Sequence, residues 1–404
     1  MVVATARSRL RPLAPFAAPA ALALIVGALA AIMLASHRAG HWWGDDWALY
    51  IRQANGLLDG EPGRVIDENR FTVESSRGAA FSPPLYPWGF PLLLAPFIAV
   101  LGDDIDRLAI VPVLCACVFA CTWYLLARPR IGTVPALTGV GVVALSPLIL
   151  GWTELIQSEL PFMAVTGIVL VGLDRAAGSG VLTRIDAPWW PPMLLGIGAA
   201  AAFSVRREGL AVIAAIAAAQ LAALIATRQQ RWWAERSDRF NLLARLLLPH
   251  STALFVVGVV QFVLPSTLVP QYSGTGLGNL WKYRVEHIEH LAEVIGLKRS
   301  WEHSPTVFDN VALGWVAVSL YLGLAMVGVA LALTRFRRRD LHLVVYAVAA
   351  FAIGGSFRVA INRYVSTVAP VLLLLALVAL ATMLRNRRFA ALPAVVATLA
   401  LAAM

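Results

Sequence analysis

Apolar residues come in runs of about 15–23 positions along this chain, each bounded by charge or by Pro/Gly clusters. The runs fall at 14–36, 107–127, 133–151, 160–174, 190–205, 209–227, 246–264, 311–333, 341–357, 364–384 and 389–404. A segment of this kind must satisfy its backbone internally while crossing about 30 Å of hydrocarbon, which a helix does. The pattern predicts an all-α, polytopic membrane protein: one transmembrane domain over residues 1–404 with about eleven spanning helices. The first run, near the N-terminus, exceeds the usual 7–15 residues of a signal-peptide core and reads as an uncleaved span.

One further run, Pro87 to Gly102, would reach only about 23 Å as a helix. Basic residues cluster between the other runs, as "RPR" at 128–130, "RQQRWWAERSDR" at 228–239, "RFRRR" at 335–339 and "RNRR" at 385–388. Arginine and lysine favour the cytoplasmic side. If Pro87–Gly102 crossed the membrane, those clusters would face outward; if it lies along the surface, they face inward and the acidic "GDDIDR" faces out. The second arrangement is expected, with the N-terminus cytoplasmic. It makes residues 37–106 a first external loop with juxtamembrane helices and 265–310 a second external loop able to act as a lid.

Composition agrees. The chain of 404 residues is 59% hydrophobic and 14% charged, too little charge to coat a soluble globule. The net charge of +10 sits in short loop clusters, a distribution suited to topology and anionic lipid rather than nucleic acid. Cys115, Cys117 and Cys121 share one apolar run without disulfide or zinc spacing and read as small packing residues.

Candidate chemistry concentrates on the expected external face. After "HWWGDD", residues Trp47, Tyr50, Ile51, Ala54, Leu57 and Leu58 recur at helical spacing, and Gly60 is a stop signal. An amphipathic helix should therefore start at Asp45–Asp46. One acid suffices to cap it, which leaves the other as a candidate general base. Arg206, Arg207, Arg358 and Arg363 lie near span ends on the side where arginine is disfavoured, and an anionic ligand there would account for them. Glu154 and Glu159 either bind a divalent metal, orient an acceptor or start the next helix. Lys282, Tyr283 and Arg284 belong to an amphipathic lid or to a solvated helix. "GTGLG" at 274–278 follows no predicted strand, so a nucleotide loop is disfavoured, and His287 with His290 lacks further ligands at zinc spacing.

"GDDWALYIRQANGLLDG" followed by "FSPPLYPWGFPLLLAPFIAVLGDD" resembles the start of a GT-C superfamily glycosyltransferase, of the protein O-mannosyltransferase-like and aminoarabinose-transferase-like branch. "SPLILGWTELIQSELPF", "GIGAAAAFSVRREGL" and "NRYVSTVAPVLLLLAL" continue the likeness, which covers most of 40–230 and 355–380. The resemblance implies a polyprenyl-phosphate sugar donor. It also implies an acceptor hydroxyl on a glycolipid, polysaccharide or protein, and inverting transfer at the extracytoplasmic face of the cell membrane. It aligns Asp46, four residues before Tyr50, with the family's catalytic acid, and Glu159 with an acid of the second external loop. The family's late Arg-Tyr matches Arg363 and Tyr364; with them Arg206, Arg207 and Arg358 are expected as lipid-phosphate ligands and Tyr50 as a substrate contact, and Lys282 and Tyr283 would face substrate if 265–310 is a lid. No cofactor is required by these residues, with a divalent metal at Glu154 and Glu159 left open. On this reading the family's extra soluble C-terminal domain is expected to be missing.

Two other classes fit a polytopic chain. A lipid or sugar transporter or flippase is expected to show internal repeats and charges at mid-membrane, whereas the charges here sit at span ends. A non-catalytic scaffold of the same fold is expected to lose the acid, which is retained.

Overall fold

The computed structural model describes residues 14–40, 46–75, 85–227, 236–265, 276–294, 311–334, 340–357, 362–365 and 367–385, and every regular element among them is helical. In chain order these are α1 (Ala14–Ala35), α2 (Asp46–Leu58), α3 (Pro62–Glu74), α4 (Gly89–Leu101), α5 (Ile105–Leu108), α6 (Ile110–Ile131), α7 (Thr133–Ala144), α8 (Pro147–Thr153) and α9 (Glu159–Gly178). There follow α10 (Trp190–Val205), a 3-10 turn (Arg207–Gly209), α11 (Leu210–Thr227), α12 (Arg236–Val263), α13 (Gly278–Lys282) and α14 (Arg284–Val294). The last four are α15 (Val311–Leu333), α16 (Leu341–Gly355), α17 (Asn362–Val365) and α18 (Ala369–Arg385). Among the described residues six helices are long and apolar enough to cross a bilayer, and shorter apolar helices accompany them. The chain is a multi-pass membrane protein.

The core forms around α6, which packs against α1, α7, α9 and α18. Trp123 on α6 is buried and donates its indole N–H to the Pro370 carbonyl at 3.0 Å, joining the first half of the chain to α18. Tyr321 on α15 ties to the same helix end through the Ala369 carbonyl at 3.0 Å. Small residues let backbones approach, as in other membrane bundles. A β-carbon at Gly196 of α10 would lie 2.3 Å from the Pro249 carbonyl oxygen of α12.

Three expected segments need correction. The run 133–151 is two helices, α7 and α8, because Ser146 starts a new one: its side chain accepts from the Ile149 amide, and Pro147 supplies a preset first turn. "RPR" at 128–130 is not a loop but the last turn of α6. Arg130 there is buried and paired with Asp174 and Asp340, so its charge is consumed inside the bundle. The run beginning at 246 starts ten residues earlier, at Arg236. Arg245, also buried, donates to the carbonyls of Val181, Ala187 and Pro188 at 2.6–2.7 Å.

Helix α2 starts at Asp46 and ends before Gly60, whose positive φ of 75° matches the stop signal. Pro87–Gly102 forms α4, whose 13 residues span about 20 Å. It packs on α2 and α10. Within 265–310, the described part is α13 and α14, which dock on the ends of α16 and α17. The runs at 335–339 and 389–404 lie outside the described residues.

Candidate active site

Four stretches distant in sequence meet at the start of α9. Asp46 opens α2, Glu159 opens α9, Arg206 follows α10 in extended conformation, and Arg363 lies in α17. Acids at the first position of a helix sit against the positive end of its dipole, which favours both carboxylates where they stand.

The four are joined directly. Arg363 spreads its guanidinium between two acids, with Nη2 2.7 Å from Asp46 Oδ2 and Nε 2.5 Å from Glu159 Oε1. Arg206 donates to the same Glu159 oxygen at 2.7 Å and to Glu208 Oε1 at 2.8 Å. The result is a chain Asp46–Arg363–Glu159–Arg206–Glu208, two cations among three anions. Burial opposes the Arg206 charge, but Glu208 and Glu159 outweigh it and hold its pKa above the ordinary arginine value. Arg363 follows the same logic: burial opposes its charge, Glu159 and Asp46 outweigh it, and its pKa is raised.

Hydroxyls surround the chain. Tyr86 donates to Asp46 Oδ1 at 2.6 Å. Tyr50 reaches Ser158 Oγ at 3.2 Å, and Arg206 donates to that oxygen at 3.2 Å. Burial, reinforced by the Asp46 charge, raises the Tyr50 pKa, so its phenol stays neutral. The ring of Tyr50 lies 4.7 Å from that of Tyr86 and 4.9 Å from that of Phe90, which seats α2 on α4. Tyr364 stacks on Phe357 at 4.3 Å and lies beneath Arg206 at 6.0 Å.

Tyr86 is held by a second device. Gln53, on the buried face of α2, accepts from the Tyr86 amide at 2.8 Å and donates to the Tyr86 carbonyl at 3.0 Å. Gly89 sets the approach of α4 to α10, since a β-carbon there would stand 2.5 Å from the Ser204 carbonyl carbon and the Val205 nitrogen.

The sequence candidates divide accordingly. Asp46, Tyr50, Glu159, Arg206, Arg363 and Tyr364 come together. Arg207 turns away to the Phe203 ring, 4.5 Å from its centroid. Glu154 is buried and pairs with Arg38 at 3.4 Å. Lys282 lies over the Tyr283 ring at 4.7 Å, on a segment anchored by Asn279 to the Ser356 carbonyl at 3.0 Å. Asp45 and Arg358 lie outside the described residues. No group of three or more potential metal ligands occurs among the described residues. His290 pairs with Glu293 at 2.9 Å. Sequence reasoning missed Tyr86, Ser158, Glu208 and Gln53. Tyr86 and Glu208 stood within the quoted "PPLYPWGFP" and "VRREGL", but only their partners identify them.

Residues 82–255 match the family model described as dolichyl-phosphate-mannose-protein mannosyltransferase. No curated protein sequence matches the chain. Among solved structures, the chain resembles the crystal structure of ArnT from Cupriavidus metallidurans bound to undecaprenyl phosphate. The TM-score is 0.51 at 16% identity, covering 89% of this chain and 59% of that one. The apo structure of the same enzyme gives 0.47 at 17% identity, covering 90% and 60%. The chain thus spans about three fifths of the length of these structures.

Proposed function

We propose that this chain, whose fold is that of the GT-C membrane glycosyltransferases, moves a sugar from a polyprenyl-phosphate carrier to an acceptor hydroxyl, with Asp46 as general base. The acceptor hydroxyl belongs to a glycolipid, a polysaccharide or a protein, and the reaction takes place on the extracytoplasmic face of the cell membrane, at the loop 37–106. The observation that carries this reading is the orientation of Asp46 by Tyr86 and Arg363 within a cluster assembled from four distant segments.

In the proposed step the acceptor O–H gives its proton to an Asp46 oxygen. Each oxygen already accepts one hydrogen bond and keeps a second lone pair for this proton. The acceptor oxygen attacks the anomeric carbon, and the carbon–oxygen bond to phosphate breaks. That electron pair stays on the phosphate, which departs on its lipid without a general acid. Direct displacement inverts the anomeric centre. Arg363, shared between Asp46 and Glu159, is the group placed to follow charge from base to leaving phosphate. Arg206 and Tyr364 complete that side, and Glu159 keeps the two guanidinium groups from repelling one another.

Asp46→Asn tests the reading, since it keeps the side-chain volume and removes the base. Transfer from radiolabelled polyprenyl-phosphate sugars in membranes should fall by about 10²–10⁴, while carrier binding persists. Undiminished transfer by that variant would overturn the mechanism.

A further inference from the structure

Three buried glutamines make an instructive set. Gln53 satisfies both ends of its carboxamide on Tyr86. Gln220 donates to the Leu246 carbonyl at 2.8 Å and meets His250 at 3.0 Å through its oxygen. Gln157 is 2% exposed, yet neither its Nε2 nor its Oε1 has a hydrogen-bond partner among the described residues. A buried amide left unpaired carries its full desolvation penalty, and native structures rarely keep one without a reason.

The position of Gln157 supplies the reason. It precedes Ser158, which contacts Tyr50 and Arg206, and Glu159, which binds both Arg206 and Arg363. The turn holding it is tight, closed by the Gln157 amide on the Leu155 carbonyl at 2.9 Å, with Leu155 and Ile156 buried beside it. The side chain therefore cannot relieve itself by swinging into water. The same short stretch contains a further buried oxygen without a hydrogen-bond partner among the described residues, Glu159 Oε2. Donor and acceptor are left unmatched two residues apart, on the segment whose Glu159 grips both candidate phosphate-binding arginines.

We propose that Gln157 is a specificity-determining residue that reads hydroxyl groups on the sugar ring of the donor. A sugar hydroxyl donates and accepts at once, which is what a carboxamide beside carboxylate oxygens can match. A sugar esterified to a phosphate held by Arg363 and Arg206 sits next to this turn. The inference rests on the proposed function in taking the ligand to be a sugar carrier.

The test is equilibrium binding to the full-length protein in detergent, without acceptor. The probes are bare polyprenyl phosphate and its mannosyl, glucosyl, galactosyl and arabinosyl forms. Wild type should bind at least one sugar-loaded carrier more tightly than the bare lipid. Gln157→Leu should weaken that carrier by about tenfold or more and flatten the preference among sugars, with bare-lipid affinity unchanged. Its melting temperature should hold or rise, because an apolar side chain removes the unpaired amide; that measurement separates the effect from misfolding. Equal weakening of bare and loaded carriers overturns the proposal, as does an unchanged sugar preference, which would mean that water alone fills the turn. A wild type that binds sugar carriers through Gln157 but transfers nothing would instead sink the proposed function and leave this inference standing.

Discussion

Arg130 and Arg363 each bridge two carboxylates drawn from distant parts of the chain, yet they serve opposite ends. Arg130 binds Asp340 at 2.8 Å and Asp174 at 2.5 Å, and donates to the Leu126 carbonyl as well. Its side chain and that of Asp340 are each 1% exposed, whereas Asp174 is 24% exposed. Arg363 is 12% exposed and its partner Asp46 is 21% exposed. The two clusters share helix α9: Glu159 opens it, and Asp174 lies about 22 Å further along. One is a closed latch. The other keeps Asp46 and Arg363 part-exposed, with the Tyr86 hydroxyl on the acid. Arginine paired with acid is thus not by itself a sign of a site; what distinguishes the two is the exposure of the arginine itself and the hydroxyl groups gathered around its acids.

The sharpest way to break this contrast is at the latch. Arg130→Leu leaves Asp174 and Asp340 facing each other without a cation, at a cost of about 3–5 kcal/mol. Thermal unfolding in detergent should show it, and adding Asp174→Asn with Asp340→Asn should recover most of the loss. A variant that melts normally but loses transfer would erase the distinction. Next comes Gly89→Val, which forces α4 off the α10 backbone. Overpacking of this kind costs about 2–3 kcal/mol, and both melting temperature and transfer should fall, because the helix that carries Tyr86's neighbours can no longer seat. Arg363→Lys sharpens the other side. A lysine cannot span Asp46 and Glu159 with a planar fork, so about 2 kcal/mol, or roughly 30-fold in transfer rate, should be lost with little change in melting. The smallest effect is Tyr86→Phe. It deletes one hydrogen bond to Asp46 and should lower kcat by about fivefold, the equivalent of about 1 kcal/mol. The check is steady-state kinetics at saturating carrier.

Much of the frame was legible in the sequence because apolar runs and their boundaries are local signals. The starts of α2 at Asp46 and of α9 at Glu159 were legible for the same reason, since acids at helix starts are local too. What was not legible is pairing. Nothing near Arg363 in the sequence announces Glu159, 204 positions away, and nothing near Arg130 announces Asp340, 210 positions away. Reading "RPR" as a charge cluster for topology failed at Arg130 because a buried arginine and a lipid-facing one look alike until their partners are known. Ser146 hid a helix break inside a run of even hydrophobicity, where a single capping hydroxyl outweighs the apolar continuity. Tyr86 and Gln157 escaped for a related reason: one is defined by what it touches and the other by what it does not.

The grip of Gln53 on Tyr86 has a consequence for how this chain tolerates change. One carboxamide holds both poles of a peptide unit 33 positions away, so the acid's orienting hydroxyl is registered against α2 itself rather than against the chain between them. Between them α3 packs back on the same unit, with Ile66 buried beside Leu85 and Trp88, and Glu68 paired with Arg52 at 2.8 Å. An epitope inserted after Glu74 should therefore leave Tyr86 on Asp46, and the transfer assay proposed for the intact chain checks it on the tagged one.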